Sequence, residues 1–337
     1  MFLFGIPNYP SIMRLPAALA EAALNVSADI PNKLIHQAAT ELSRQYSAAN
    51  DFSAALRSPA HRAAYLLTRM PATYAACWRV FRELRDRAPS VAINSLLDLG
   101  AGPGTAAWAA VESGMPLQQI SMVERDAGMT ELGKRMAANA PHVAIKSAEW
   151  TLGDITHSMP AGKKYDLVIA SYILGELSPA QQASLIAQAW QQTEHFLVFI
   201  EPGTPRAYQT MMGVRDSLLE NGAHLLAPCP HEEECPLKSS ATDWCHFAQR
   251  LERTAEHRRL KGGELNYEDE KFSYLIFSRE PHTRAPSRII RHPLFNKGYV
   301  KMTLCTKNGI TAHTVTKSKG GDYRQARKSE WGDGWKE

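Results

Sequence analysis

At 337 residues the chain exceeds one average domain, and at 44% hydrophobic and 21% charged it has the balance of a globular protein with a sizeable core. Its net charge of +4 conceals an asymmetry: residues 284–337 carry 12 Lys/Arg against 4 Asp/Glu, and the preceding 283 residues carry 26 against 30. Basicity at one end predicts a polyanionic partner, nucleic acid before membrane.

No apolar run approaches the ~18–20 residues that span a bilayer. The apolar start, Met1-Phe-Leu-Phe-Gly-Ile-Pro, has no basic region and is cut by Pro7 and Pro10, so neither a signal peptide nor a membrane partner is expected. Five cysteines, an odd number, argue against a disulfide framework and predict a reducing, cytoplasmic setting.

Residues 1–92 read as a helical N-terminal domain. In residues 32–46, Leu34, Ile35, Ala38, Ala39, Leu42 and Tyr46 fall on one helix face. Ser58-Pro59 reads as an N-cap with proline at the first helical position. Pro71 opens or kinks another helix, with a stripe of Tyr74, Cys77/Trp78, Phe81 and Leu84 that predicts a core role for Cys77. Arg79, Arg82, Arg85 and Arg87 are expected on solvated faces.

Residues 93–224 alternate strand and helix, the pattern of a doubly wound α/β sheet. Strands are predicted at 95–99, 119–123, 148–152, 165–170 and 195–200. Ser178-Pro179 and Thr204-Pro205 are predicted helix starts. The first strand runs into Asp98-Leu-Gly100-Ala101-Gly102-Pro103-Gly104, a turn that lets the backbone approach a ligand closely. Its D-x-G-x-G-x-G spacing, distinct from the dinucleotide G-x-G-x-x-G, resembles the first motif of class I S-adenosylmethionine-dependent methyltransferases.

Acidic residues at strand ends suit such a nucleoside ligand. Glu124, with Arg125 beside it, ends the second strand and is placed to accept from both ribose hydroxyls. Asp154 is expected to accept from the adenine amino group, Ile155 to pack on the ring, and Asp98 to orient the glycine turn or meet the methionine ammonium. Ser171 and Tyr172 complete the expected cofactor set. After the fourth strand, Ser171-Tyr172-Ile-Leu-Gly-Glu176-Leu offers neither Asn-Pro-Pro-Tyr nor Pro-Cys, so no catalytic residue is legible.

Beyond the sheet, Cys229, Cys235 and Cys245 crowd into 17 residues among prolines and histidines. Thiols this close predict a metal site, with His231, His246 and Cys305 as candidates for a fourth ligand. Their spacing is neither a zinc ribbon nor a ferredoxin run. The motifs Cys-Pro-His, Cys-Pro-Leu, Asp-Trp-Cys-His-Phe-x-Gln-Arg and Leu-Cys-Thr resemble the methyltransferase-like small-ribosomal-subunit assembly proteins of mitochondria and their bacterial relatives. So do Glu201-Pro-Gly-Thr and the ending Tyr323-Arg-Gln-Ala-Arg327-Lys328-Ser-Glu-Trp331-Gly-Asp.

That resemblance implies an S-adenosylmethionine-binding fold and a 4Fe-4S cluster on Cys229, Cys235, Cys245 and Cys305, zinc being the alternative metal. It also implies binding to small-subunit rRNA in the precursor of the small ribosomal subunit.

Residues 225–265 are accordingly expected as a metal-cluster insert. Residues 266–337 are expected to complete the sheet through 271–279 and to form a basic β-rich region. That region includes a hairpin turning at Lys307-Asn308-Gly309, with Arg, Lys and aromatics interleaved for phosphate contact and base stacking. A monomer is expected. Two functions compete: methylation of small-subunit rRNA, and non-catalytic assembly on an rRNA-binding surface. A small-molecule methyltransferase would not need the basic tail.

Overall fold

The computed structural model describes residues 12–47, 56–157, 162–262 and 264–336; the expectations for the apolar N-terminal stretch and for the Tyr46 side chain lie outside these. The chain opens with four helices, α1 (Ala17–Ser27), α2 (Asn32–Ser47), α3 (Pro59–Thr68) and α4 (Met70–Arg87). Ser58 caps α3, its Oγ accepting from the His61 N–H, with Pro59 at the first helical position where no N–H is needed. On α2, Ile35, Ala38, Ala39 and Leu42 are buried, but Leu34 is 48% exposed. It lies one residue, about 100°, round from Ile35 and faces water.

Helix α4 carries the expected stripe, with Tyr74, Cys77, Phe81 and Leu84 buried. Its arginines are a correction in part. Arg79 pairs with Asp333 at 2.5 Å, Arg87 with Glu83 at 3.0 Å, and Arg85 donates to the Ser113 carbonyl. Arg82 and Arg85 are exposed as expected, Arg82 with its guanidinium 5.4 Å from the Trp78 ring, whereas Arg79 and Arg87 are half-buried. The helix packs against the sheet on one side and the chain's last residues on another, so most of its polar face finds protein partners.

The sheet holds β1 (Ser95–Leu99), β2 (Gln119–Glu124), β3 (Glu149–Leu152), β4 (Tyr165–Ser171), β5 (Thr193–Pro202), β6 (His224–Ala227), β7 (Phe247–Glu252) and β8 (Tyr267–Ser278). Its order is β3-β2-β1-β4-β5-β8-β6, with β7 also on β8. Strands β1 to β5 are parallel; β8 runs antiparallel to β5, β6 and β7.

Between strands come α5 (Thr105–Glu112), α6 (Ala127–Ala138), α7 (Val143–Lys146), α8 (Pro179–Gln191), α9 (Pro205–Glu220) and α10 (Ala255–Lys261). Alternate strand residues feed two cores. Leu96, Ile169, Val198 and Ile276 face the α4–α5 side, and Leu97, Val168, Leu197 and Phe199 face α8 and α9. Residues 225–265, expected as an insert, instead supply β6 and β7 to this sheet, and only the stretch between them is a loop.

A second, five-stranded sheet contains β9 (Ser287–Ile289), β10 (Leu294–Asn296), β11 (Tyr299–Thr306), β12 (Gly309–Thr316) and, after α11 (Gly321–Ala326), β13 (Gly334–Trp335). The β11–β12 hairpin pairs Thr306 with Gly309 across the two-residue turn Lys307-Asn308. Arg288 on β9 ties this unit to the rest. It is 1% exposed and donates to Glu83 Oε1 (2.7 Å), the Pro228 carbonyl (2.7 Å) and the Gly332 carbonyl (2.8 Å).

Burial pushes the Glu83 carboxyl up, but Arg288 and then Arg87 outweigh it and bring it down to about 2. The folded state therefore holds Glu83 ionised more tightly than the unfolded chain, where a glutamate titrates near ~4.3. Its contribution of roughly 3 kcal/mol is complete above that value and lost as pH falls toward 2. Arg288→Ala, which strands Glu83 beside Arg87 alone, should cost about 3–5 kcal/mol in urea unfolding at pH 7. The gap between variant and parent should narrow as unfolding is measured at pH 4 and then pH 3.

Candidate functional site

At the carboxyl end of β1 the chain turns on three glycines with positive φ, 72° at Gly100, 55° at Gly102 and 84° at Gly104, and Gly104 caps α5. A side chain at Gly100 would be strained by its φ of 72°, and its Cβ, 2.2 Å from Ile173 Cδ1, would also force that side chain to move. A cavity of about 1200 Å³ opens over this turn, at the carboxyl ends of the parallel strands where α/β sheets bind ligands. Gly100, Ala101, Gly102, Glu124, Arg125, Asp154, Ile155, Ser171 and Tyr172 of the expected cofactor set all line it. Asp98, Pro103 and Gly104 do not.

Asp98 is fully buried behind the turn, and neither carboxyl oxygen makes a hydrogen bond of normal geometry among the described residues. Burial, then the neighbouring Glu124 charge, pushes it up to about 7 against the pull of the Ala107 N–H. A central strand flanked by β2 and β4 sends this side chain into protein rather than toward ligand.

Glu124 has first use as a brace: Oε2 accepts from the Gly102 N–H (2.8 Å) and Oε1 from the Asp126 N–H (2.7 Å). Each oxygen retains a second lone pair. Asp154 Oδ1 accepts from both the N–H and the hydroxyl of Thr156, which hold the carboxyl below its usual range and leave Oδ2 for another donor. Arg125 and Glu176 pair at 2.6 Å across the cavity wall.

On the opposite wall, Tyr172 of the expected set and Glu201 meet two residues that local motifs did not mark, Arg69 and Glu270. Tyr172, at φ 57°, is the one non-glycine residue with positive φ among the described residues. Such a conformation costs about 1–3 kcal/mol and persists only when held. Here the Tyr172 N–H donates to the Ile200 carbonyl (2.7 Å) and its hydroxyl to Glu270 Oε1 (3.0 Å), while Arg69 lies 3.7 Å from the same oxygen. Glu201, 2% exposed, accepts from the Ile173 and Leu174 N–H groups, yet burial still lifts it to about 7. Arg69, at the junction of α3 and α4, and Glu270 on β8 lie far from the glycine turn in sequence, so no spacing pattern announces them.

The cysteines form a second site against α9. Burial raises the thiols of Cys229, Cys245 and Cys305 (the last to about 12), and each feels the others and Cys235, so all six pairs among the four are within electrostatic reach. Tyr208 Oη lies 3.3 Å from Cys235 Sγ, and Arg215 interacts with Cys229. The β9–β11 register sets Cys305 opposite Arg288.

Of the three candidates for a fourth ligand, Cys305 joins the group. His246 instead stacks on Trp244 at 5.0 Å and meets Trp331 edge-on at 4.9 Å, and His231 is buried beside Arg215. Four thiols suit an iron–sulfur cluster in kind. Among the described residues, however, no three His, Cys, Asp or Glu side chains are grouped so as to hold a metal ion.

The two sites share walls. Helix α9 gives Arg206 and Thr210 to the cavity and Tyr208 and Arg215 to the cysteines. Trp244 Nε1 donates to the Gly203 carbonyl (3.0 Å), and Ser273 Oγ on β8 to the Cys245 carbonyl (3.0 Å).

This sheet order and glycine-turn cavity define a class I methyltransferase-like fold. The chain belongs to the Rsm22 family: the family model described as mitochondrial small ribosomal subunit Rsm22 matches residues 59–336. It is 31% identical over 290 residues to the human mitochondrial ribosome assembly protein METTL17, covering 80% of this chain and 61% of that protein. It is 27% identical over 328 residues to the Schizosaccharomyces pombe mitochondrial Rsm22-cox11 tandem protein 2, covering 80% of this chain and 42% of that protein. The chain thus spans less than two thirds of either relative.

Among solved structures it is distantly similar to magnesium protoporphyrin IX methyltransferase from Synechocystis (TM-score 0.42, 14% identity, 62% of this chain and 80% of that one). It is similarly distant from the N-methyltransferase NodS of Bradyrhizobium japonicum (TM-score 0.37, 13% identity, 60% of this chain and 95% of that one).

Because folded Asp98 holds its proton up to about 7 whereas an unfolded aspartate loses it near ~3.9, this residue makes the ligand-free protein less stable as pH rises between those values. Asp98→Asn should therefore lose less Tm between pH 5 and pH 8 than the parent does, measured by thermal unfolding.

Proposed function

We propose that this chain is an S-adenosylmethionine-binding, methyltransferase-like protein that acts on the small ribosomal subunit during its assembly. The observation that carries the reading is the cavity, where the glycine turn, Glu124 and Asp154 converge at the ends of β1, β2 and β3. The family's description and the human relative's name, both concerned with the ribosome, supply the partner class. The cofactor would bring an electrophilic methyl group.

For this chain's residues, the open backbone at Gly102 suits close approach, since a Cβ there would meet only Met129 Cε at 4.0 Å. Glu124 then accepts from the ribose hydroxyls through its remaining lone pairs, Asp154 Oδ2 accepts from the adenine amino group, and Ile155 packs on the ring.

Exposed Lys297, Lys301, Lys307, Lys317, Lys319, Arg324 and Lys328 support rRNA contact by the second sheet and α11. Arg284, Arg288 and Arg291 are spent on Glu232, Glu83 and Asp243. We take the protein to work as a monomer in the cytoplasm. We take Cys229, Cys235, Cys245 and Cys305 to hold a 4Fe-4S cluster, one thiolate per iron, with zinc as the alternative. A non-catalytic assembly role is the second reading. It is favoured by the engagement of Tyr172 with Glu270 and of Glu176 with Arg125, which leaves no obvious base after β4.

Labelled methyl from S-adenosylmethionine should pass to rRNA of immature small subunits, and Asp154→Ala should weaken S-adenosylhomocysteine binding about tenfold or more. Tight binding of cofactor and particle with no label transferred would establish the assembly role instead. Purified without oxygen, the protein should be brown, with iron and sulfide each near four per chain. Zinc without iron would falsify the cluster assignment.

A further inference from the structure

The cavity is larger than one cofactor requires. Its volume of about 1200 Å³ exceeds the ~300–1,000 Å³ usual for a single small-ligand pocket, and the sheet order divides it. Strands β3, β2 and β1 present the proposed cofactor half. Strands β4, β5 and β8 end in, or carry, the residues of the other half, with Tyr172 at the boundary. Tyr65 of α3 and Arg69, between α3 and α4, wall this far half from the helical side, and Arg206 and Lys271 stand at its mouth.

Charge in the far half is unevenly committed. Asp269 is held by Arg250 Nε and Nη2, each at 2.7 Å, and Glu201 accepts backbone N–H groups. Arg206 and Lys271 are exposed, and no carboxylate lies within ion-pair distance of either among the described residues. Deeper in, Glu270 is 9% exposed, with Oε1 fixed by Tyr172 and Arg69. The far half therefore offers cations at its rim, aromatic rings on its walls and a fixed carboxylate inside.

We propose that this far half is an acceptor pocket for a single nucleotide swung out of a single-stranded RNA segment. The base lies against Tyr172 and Tyr65, an N–H on its edge donates to Glu270, and its phosphate meets Arg206 and Lys271. An acidic metabolite would use the rim cations but has no need of ring faces and a carboxylate together. The proposal rests on the cofactor reading above, which assigns the near half.

The test uses the full chain saturated with S-adenosylhomocysteine and titrated calorimetrically with each nucleoside 5′-monophosphate and with inorganic phosphate. At least one nucleotide should bind with 1:1 stoichiometry and submillimolar affinity, without displacing S-adenosylhomocysteine and at least tenfold tighter than phosphate. The surface double variant Arg206→Ala/Lys271→Ala should weaken it tenfold or more, and Glu270→Gln about fivefold or more, with S-adenosylhomocysteine affinity intact. Competition between nucleotide and S-adenosylhomocysteine would overturn the pocket, as would equal binding by phosphate or by the double variant. Should S-adenosylhomocysteine itself fail to bind, the cofactor reading falls. The same titrations on the ligand-free chain, with the variants as controls, then decide the pocket alone.

Discussion

A guanidinium sealed from water must have its charge and its N–H groups answered within the protein, and Arg288 is answered by three separate parts of the chain. Glu83 supplies the countercharge from α4, Pro228 a carbonyl at the head of the cysteine loop, and Gly332 a carbonyl from the C-terminal stretch. Moving any of these away would leave a buried donor unpaired, at a cost comparable to a sizeable fraction of a domain's net stability. The helical region, the main sheet and the second sheet are therefore held in one arrangement by a polar constraint added to their hydrophobic contacts. Arg79 and Asp333 repeat the connection nearer the surface.

Much of the main sheet was legible because its signals are local. Strands β1 to β5 alternate with helices whose caps, Ser178-Pro179 and Thr204-Pro205, stand where the periodicity ends, and the glycine turn carries its own spacing. Strand β7 was not legible. Its buried positions are Phe247, Gln249 and Leu251, and a polar residue at the middle of the pattern hides the period of two. Strand β6, four residues long, is too short to show a period at all.

At the cavity, the residues next to the glycine turn could be named in advance. Arg69 and Glu270 could not, because the interaction joining them spans about two hundred residues. Asp98 shows the converse: the motif points to it, but the centre of a parallel sheet takes it away from the ligand side. That Cys305 belongs with the other cysteines followed from resemblance rather than from spacing, since it reaches them through the pairing of β11 with β9.

Strand β8 is where the two sites meet. Along its twelve residues it presents Glu270 and Lys271 to the cavity, Ser273 to the cysteine loop and Ile276 to the core. Side chains alternate faces with a period of two, so a slip of one residue would turn Glu270 and Ile276, which share a face, away from their partners together. Helix α9 imposes a similar linkage, lining the cavity with its first turns and the cysteines with adjacent positions. The cavity and the cysteines thus share two regular elements, β8 and α9, beside the loop contact of Trp244 with Gly203.

The sheet order also sets an order in time. Strand β6 pairs with β8 alone among the described strands, and β7 pairs with β8 and, at Leu251, with Met13; β8 follows both of them in the chain. A ribosome making this protein releases Cys229, Cys235 and Cys245 on a segment whose flanking strands lack their shared partner until β8 has emerged. Cys305 follows later still, on β11. The four thiols are thus brought near one another only late in synthesis, once β8 and then β11 are available.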